Sequence, residues 1–193
     1  CDLVTGIVGE FPELQGTMGS YYAKISGEAT DVTVAIGEQY LPRFSGDTLP
    51  QSVSGKILAV ADKLNTLTGI FSLGKNPTGN KDPFGLRRAA LGIIRVLIEG
   101  NLELDIKKAI NDAMDQQPYS KIDGTLPTEL LFDFIMERSK TYFRETRPNF
   151  RSDIFDAVRS CQPTSLLDFQ ARLMAVENFT TLPEAPRLAA ATK

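Results

Sequence analysis

Histidine is absent from all 193 residues of this sequence. That absence excludes Ser-His-Asp and Cys-His nucleophilic sites, because no imidazole is available as general base. It also excludes histidine-dependent metal centres, those of zinc hydrolases and metal-dependent phosphohydrolases among them. Cysteine is almost as scarce: Cys1 and Cys161 are the whole complement, too few for a disulfide framework and at no metal-ligand spacing. They read as reduced thiols, the ordinary state in the cytosol. Long apolar runs are missing too. The longest, around Ala89 to Ile98, is broken by Arg95 and falls short of the ~20 residues that a membrane helix needs. The opening Cys-Asp-Leu-Val-Thr has neither the basic nor the apolar region of a signal peptide. With a first residue other than Met and an abrupt Ala-Ala-Ala-Thr-Lys end, the expectation is a piece of a longer protein. A net charge of -3 argues against wholesale polyanion binding and confines any nucleic-acid surface to local patches.

What is present is ordinary for a globular chain, 42% hydrophobic and 23% charged. The apolar spacing is helical nearly throughout. Short helices are expected over Asp2 to Gly9 and Glu13 to Lys24, then over Glu28 to Tyr40, before a Pro- and Gly-broken loop from Leu41 to Pro50. Val53 to Phe71 reads as a long buried helix with Ile57, Leu58, Val60, Ala61, Leu64, Leu67 and Ile70 inward. Helices follow near Leu102 to Met114, Pro127 to Arg144, Asp153 to Ser160 behind a Ser152 cap, and up to Phe179 behind Ser165 and Asp168. Pro183 to Lys193 begins another. The polar break at Gln116-Gln117-Pro118 and Lys121-Ile122-Asp123-Gly124 suggests a division into 1–117 and 118–193. The class is all-α.

The most informative segment runs from Pro77 to Arg88. Asp82 is suited to cap a helix, Pro83 fits its first position, and two arginines stand in its first turns. Five basic residues, Lys75, Lys81, Arg87, Arg88 and Arg95, face one acidic residue, Asp82, between Lys75 and Ile98. A second patch, Arg138, Lys140, Arg144, Arg147 and Arg151 against Glu145, is interleaved with Tyr142, Phe143 and Phe150, which suit base stacking. Arg88 and Arg95 share a helix face at seven-residue spacing, with Arg87 about 100° aside. The bland reading of both patches is a solvated helix face, and internal pairing with Asp62 or Asp82 competes with phosphate binding.

Gly69-Ile70-Phe71-Ser72-Leu73-Gly74-Lys75-Asn76 approximates a phosphate-binding loop but lacks the preceding strand and the terminal hydroxyl; it is a decoy. Asp62 interrupts a buried helix and reads as a structural ion pair rather than a metal ligand, because buried charges persist when paired. Gly16, Gly19 and Gly27 read as close-packing positions, and Tyr21 and Tyr22 as half-buried core residues.

The runs Glu10-Phe11-Pro12-Glu13-Leu14-Gln15-Gly16-Thr17-Met18-Gly19, Tyr40-Leu41-Pro42-Arg43-Phe44-Ser45-Gly46-Asp47 and Val60-Ala61-Asp62-Lys63-Leu64, with the tail Leu188-Ala189-Ala190-Ala191-Thr192-Lys193, resemble the bacterial glycyl-tRNA synthetase beta subunit over essentially the whole chain. The resemblance implies a heterotetrameric glycine–tRNA ligase of two alpha and two beta chains. Its alpha subunit would carry the aminoacylation site for glycine, ATP and magnesium, and beta would grip tRNA(Gly) in the cytoplasm. It also implies a multi-helical orthogonal bundle, an HD-like core over 1–117 with a helical extension over 118–193 leading to an anticodon-binding domain. Asp62 is similar to the late aspartate of HD phosphohydrolases, but a chain without histidine cannot complete that site. The expectation is therefore a non-catalytic internal piece that uses no cofactor itself and meets no membrane. Lys75, Lys81, Arg87, Arg88 and Arg95 are its first tRNA-contact candidates, and Arg144, Arg147 and Arg151 its second. A degenerate metal phosphohydrolase built on Asp62 and a pure scaffold without RNA contact are the alternatives.

Overall fold

The computed structural model describes residues 2–77, 81–118, 127–185 and 187. Thr78 to Asn80 of the loop before the arginines, the Lys121 to Gly124 break and the Leu188 to Lys193 tail lie outside these. Among the described residues the chain forms nine α-helices and one 3-10 turn, with no strand: α1 (Gly6–Glu10), α2 (Thr17–Ile25), α3 (Thr30–Glu38), α4 (Val53–Ser72), α5 (Leu86–Ile98), α6 (Ile106–Asp115), α7 (Thr128–Thr146), α8 (Ser152–Ser160) and α9 (Leu166–Thr180). The all-α, multi-helical class follows. None of these helices is long and apolar enough to cross a membrane.

Three small helices lead in. Asp2 is buried and its carboxylate accepts from the amides of Gly16 (2.7 Å) and Gly19 (2.8 Å) and from the Tyr40 hydroxyl (3.0 Å). This one side chain therefore satisfies the start of α2 and holds it to the end of α3. Gly19 is required there, because a Cβ would lie 2.8 Å from the Ile36 side chain. Glu38 then passes the chain to α4: its carboxylate accepts from the Ser52 hydroxyl (2.6 Å), and Ser52 in turn caps the Gly55 amide at 2.9 Å.

The main core lies beneath α4 and α5, where Leu67, Phe71, Ile93 and Leu97 meet Ile110 and Met114 of α6 and Ile135 of α7. The same apolar cluster continues through Phe143 to Phe155 of α8 and Phe169 of α9, with Phe143 and Phe169 stacked at 6.0 Å. On either side of 117/118, α6 packs against α7.

Several local expectations are corrected. Ile57 and Ala61 of α4 point outward, because the buried stripe runs through Ala59, Val60, Lys63, Leu64, Leu67 and Phe71. Lys63 holds an inward position by spending its ammonium on backbone carbonyls. Leu130 is exposed on α7, and Tyr21 and Tyr22 are exposed on α2 rather than half-buried in a core. Ser152 is the first helical residue of α8, after an Arg151 N-cap, and its hydroxyl donates to Asp156. Ser165 does cap α9, but Asp168 pairs with Arg172 instead of closing the box. Gly69 to Ser72 complete the last turn of α4, so the first half of the phosphate-loop look-alike is helix.

Candidate nucleic-acid interface

The arginine segment starts with a turn that differs from the expected one. Gly85, left-handed at φ 65°, is the N-cap of α5, so Pro83 and Phe84 precede the helix. Asp82 still satisfies the helix start, reaching over that turn to accept from the amides of Leu86 and Arg87, both at 2.9 Å. Glycine suits this cap because it adopts positive φ without a Cβ clash. The rigid turn fixes where Arg87 and Arg88 leave the helix.

Arg87 and Arg88 line one groove between α5 and α7, about 390 Å³ in volume, together with Phe44, Ser45, Leu91, Arg138, Thr141 and Glu145. Arg88 is exposed and Arg87 half-buried. Arg138 comes from α7, 50 positions later in the chain. Its Nε is buried with no hydrogen-bond partner among the described residues. The periodicity of α5 alone suggested pairing Arg88 with Arg95. Instead Arg95 turns inward: it binds Glu99 through Nε (2.9 Å) and Nη2 (3.2 Å), and its Nη1 donates to the Asp47 carbonyl at 3.0 Å. The bond to Glu99 raises the Arg95 pKa further. Arg95 thus takes the internal pairing, with partners other than Asp62 or Asp82.

Lys75 and Lys81 are exposed on either side of the loop. In the second patch Arg144 is exposed, whereas Arg147 pairs with Glu177 at 2.7 Å and lies over the Phe143 ring. Arg151 pairs with Asp153, and Lys140 with Asp156. The expected stacking aromatics are core residues: Tyr142 and Phe143 are buried, and Phe150 packs on Phe155. Arg138 is the member of that patch that reaches the groove, through the helix-to-helix approach of α7 and α5. Its i, i+3, i+7 relation to Thr141 and Glu145 was the available signal.

A second cleft, about 470 Å³, adjoins on the other side of Arg88 and is lined by Gln15, Tyr40, Arg43, Asp62, Lys63 and Phe84 among others. Lys63 Nζ donates to the carbonyls of Tyr40 (3.3 Å) and Leu41 (2.8 Å), and burial lowers its pKa to about 8. The expected ion pair of Asp62 is not formed among the described residues. Its one hydrogen bond from a described residue comes from the Gln39 amide at 3.4 Å. Burial raises its pKa, against the attraction of nearby Lys63. No cluster of three carboxylate or thiol groups able to hold a metal occurs among the described residues.

The sequence profile of the glycyl-tRNA synthetase beta subunit family matches residues 1–160. The chain belongs to the glycyl-tRNA synthetase beta subunit family. It is 48% identical over 193 residues to the glycine–tRNA ligase beta subunit of Pseudomonas aeruginosa strain LESB58, covering 100% of this chain and 28% of that protein. The beta subunit of Acinetobacter baumannii strain ATCC 17978 is 47% identical over 195 residues with the same coverage, and that of Ectopseudomonas mendocina strain ymp is 47% identical over 193 residues, again at 100% and 28%. The chain thus spans about 28% of the length of the curated relatives it matches. Within this beta-subunit segment the convergent cations are Arg87, Arg88 and Arg138, with Arg144 exposed on the same helix as Arg138.

Proposed function

We propose that this chain is a tRNA-binding and architectural part of the beta subunit of a heterotetrameric glycine–tRNA ligase, and that it performs no chemistry itself. In this reading the alpha subunit is its partner and uses ATP and magnesium, tRNA(Gly) is the ligand, and the cytoplasm is the site of action. The observation that carries it is the convergence of Arg87, Arg88 and Arg138 on one solvent-open groove in a chain of this family. Arginine forks match phosphate oxygens, and shape and backbone contacts dominate the recognition of structured RNA. Lys75, Lys81 and Arg144 extend the same electrostatic footprint; Arg95, Arg147 and Arg151 each hold a carboxylate in this structure.

Each phosphate contact contributes to a salt-dependent affinity. Arg87→Ala/Arg88→Ala in the assembled alpha–beta enzyme is expected to weaken tRNA binding and reduce the slope of log affinity against log salt by about one per lost contact. Filter binding across a salt series measures it. An unchanged affinity throughout the series overturns the reading.

A further inference from the structure

The cleft beside Arg88 contains an acceptor and a donor that the fold leaves facing a common space. Most of its polar groups are already spent. Lys63 serves two carbonyls, the Tyr40 hydroxyl serves Asp2, and the Thr66 hydroxyl donates to the backbone carbonyl of Asp62. Asp62 differs. Its half-buried carboxylate has one long bond, from Gln39 at 3.4 Å, and no ion pair among the described residues. A carboxylate offers about four lone-pair sites, so most of this one's capacity is unmet by the described residues. It accepts only, and so calls for a hydroxyl or amine. Arg88 is the complement: exposed on the rim, in no ion pair with a described residue, and able only to donate. The two line the same cleft without pairing with each other.

We propose that this cleft reads the sugar of an RNA nucleotide, with Asp62 accepting the ribose 2′-hydroxyl and Arg88 holding the adjoining phosphate. A ribonucleotide presents a hydroxyl donor and an anion side by side, the pairing that the cleft requires. Inorganic phosphate answers Arg88 alone, and a deoxynucleotide lacks the donor for Asp62. The 2′-hydroxyl is the group by which a protein distinguishes RNA from DNA at a given position. Phe84, exposed at the same cleft, provides a face for the attached base. The assignment rests on the tRNA-binding reading above and specifies which chemical group of the RNA is recognised.

The test is 2′-deoxy interference mapping on the assembled enzyme. A tRNA(Gly) pool with sparse random 2′-deoxynucleotides is partitioned by binding to wild type and to Asp62→Ala. Wild type is expected to disfavour 2′-deoxy substitution at one nucleotide by about tenfold, the value of one hydrogen bond to a charged group. Asp62→Ala is expected to erase that signal while leaving the rest of the pattern. The wild-type arm needs no variant to fold: absence of interference at every position overturns the assignment. So does the same interference in wild type and Asp62→Ala. If Arg87→Ala/Arg88→Ala weakens binding while either of those results is found, the sugar assignment alone fails. If that variant leaves the salt series unchanged, the tRNA reading fails and this assignment with it.

Discussion

Lys63 is a charged residue on the buried face of a helix, and its chemistry follows from that position. Its alkyl stem crosses Gly92 of α5, where a Cβ would sit 2.7 Å from the lysine Cε, and its ammonium meets two carbonyls. The folded pKa of about 8 lies below the ordinary lysine value of 10.5, so between these values the unfolded chain binds more protons than the folded one. Stability contributed by this group therefore rises with pH across that window. Urea unfolding of wild type and Lys63→Met at pH 7 and pH 10 checks the sign: the difference should move in favour of wild type as pH rises. The sequence Val60-Ala61-Asp62-Lys63 announced a charge inside a buried helix. It did not show that lysine would go in and aspartate face a cleft, because that depends on the carbonyls of residues 40 and 41.

At the scale of elements, the start of α5 decides where two of the basic groups point. Asp82→Ala leaves the amides of Leu86 and Arg87 without their acceptor and should cost about 1–2 kcal/mol, as for other lost helix caps. Thermal unfolding measures the loss, and Asp82→Asn should recover part of it. Asp82 was legible as a helix-start residue, but its offset was not, since Pro83 suits a first helical position equally well. A turn ending in the left-handed Gly85 stands between Asp82 and the first residue of the helix. The opposite error occurred in α7, whose aromatic residues resembled a stacking platform. Tyr142 and Phe143 share the buried face instead, and only the packing of α8 and α9 decides that. Helices with a clear apolar stripe were legible to within a few residues, α4 and α7 above all.

Over the whole molecule, one apolar cluster connects α4 to α9. Phe143, fully buried against Phe155 and Phe169, stands where the late helices join the earlier ones. Phe143→Ala should destabilise the fold by about 3–5 kcal/mol through lost burial and a residual cavity, read as a lower urea midpoint. Convergence at this scale was what the sequence concealed. Arg138 and Arg87 belong to two separate charge clusters along the chain, and only the approach of α7 to α5 makes them one. Arg147 left its cluster in the same way, meeting Glu177 of α9, whereas Arg95 pairs locally with Glu99, four residues on.

Arg88 lines both the α5–α7 groove and the Asp62 cleft, and one guanidinium carries five N–H donors. Occupancy of the two spaces is therefore thermodynamically linked through a single side chain. In a double-mutant cycle, Asp62→Ala and Arg138→Ala should be non-additive while Arg88 is present and add nearly independently once it is replaced. Each should lose part of its effect on tRNA affinity in an Arg88→Ala background.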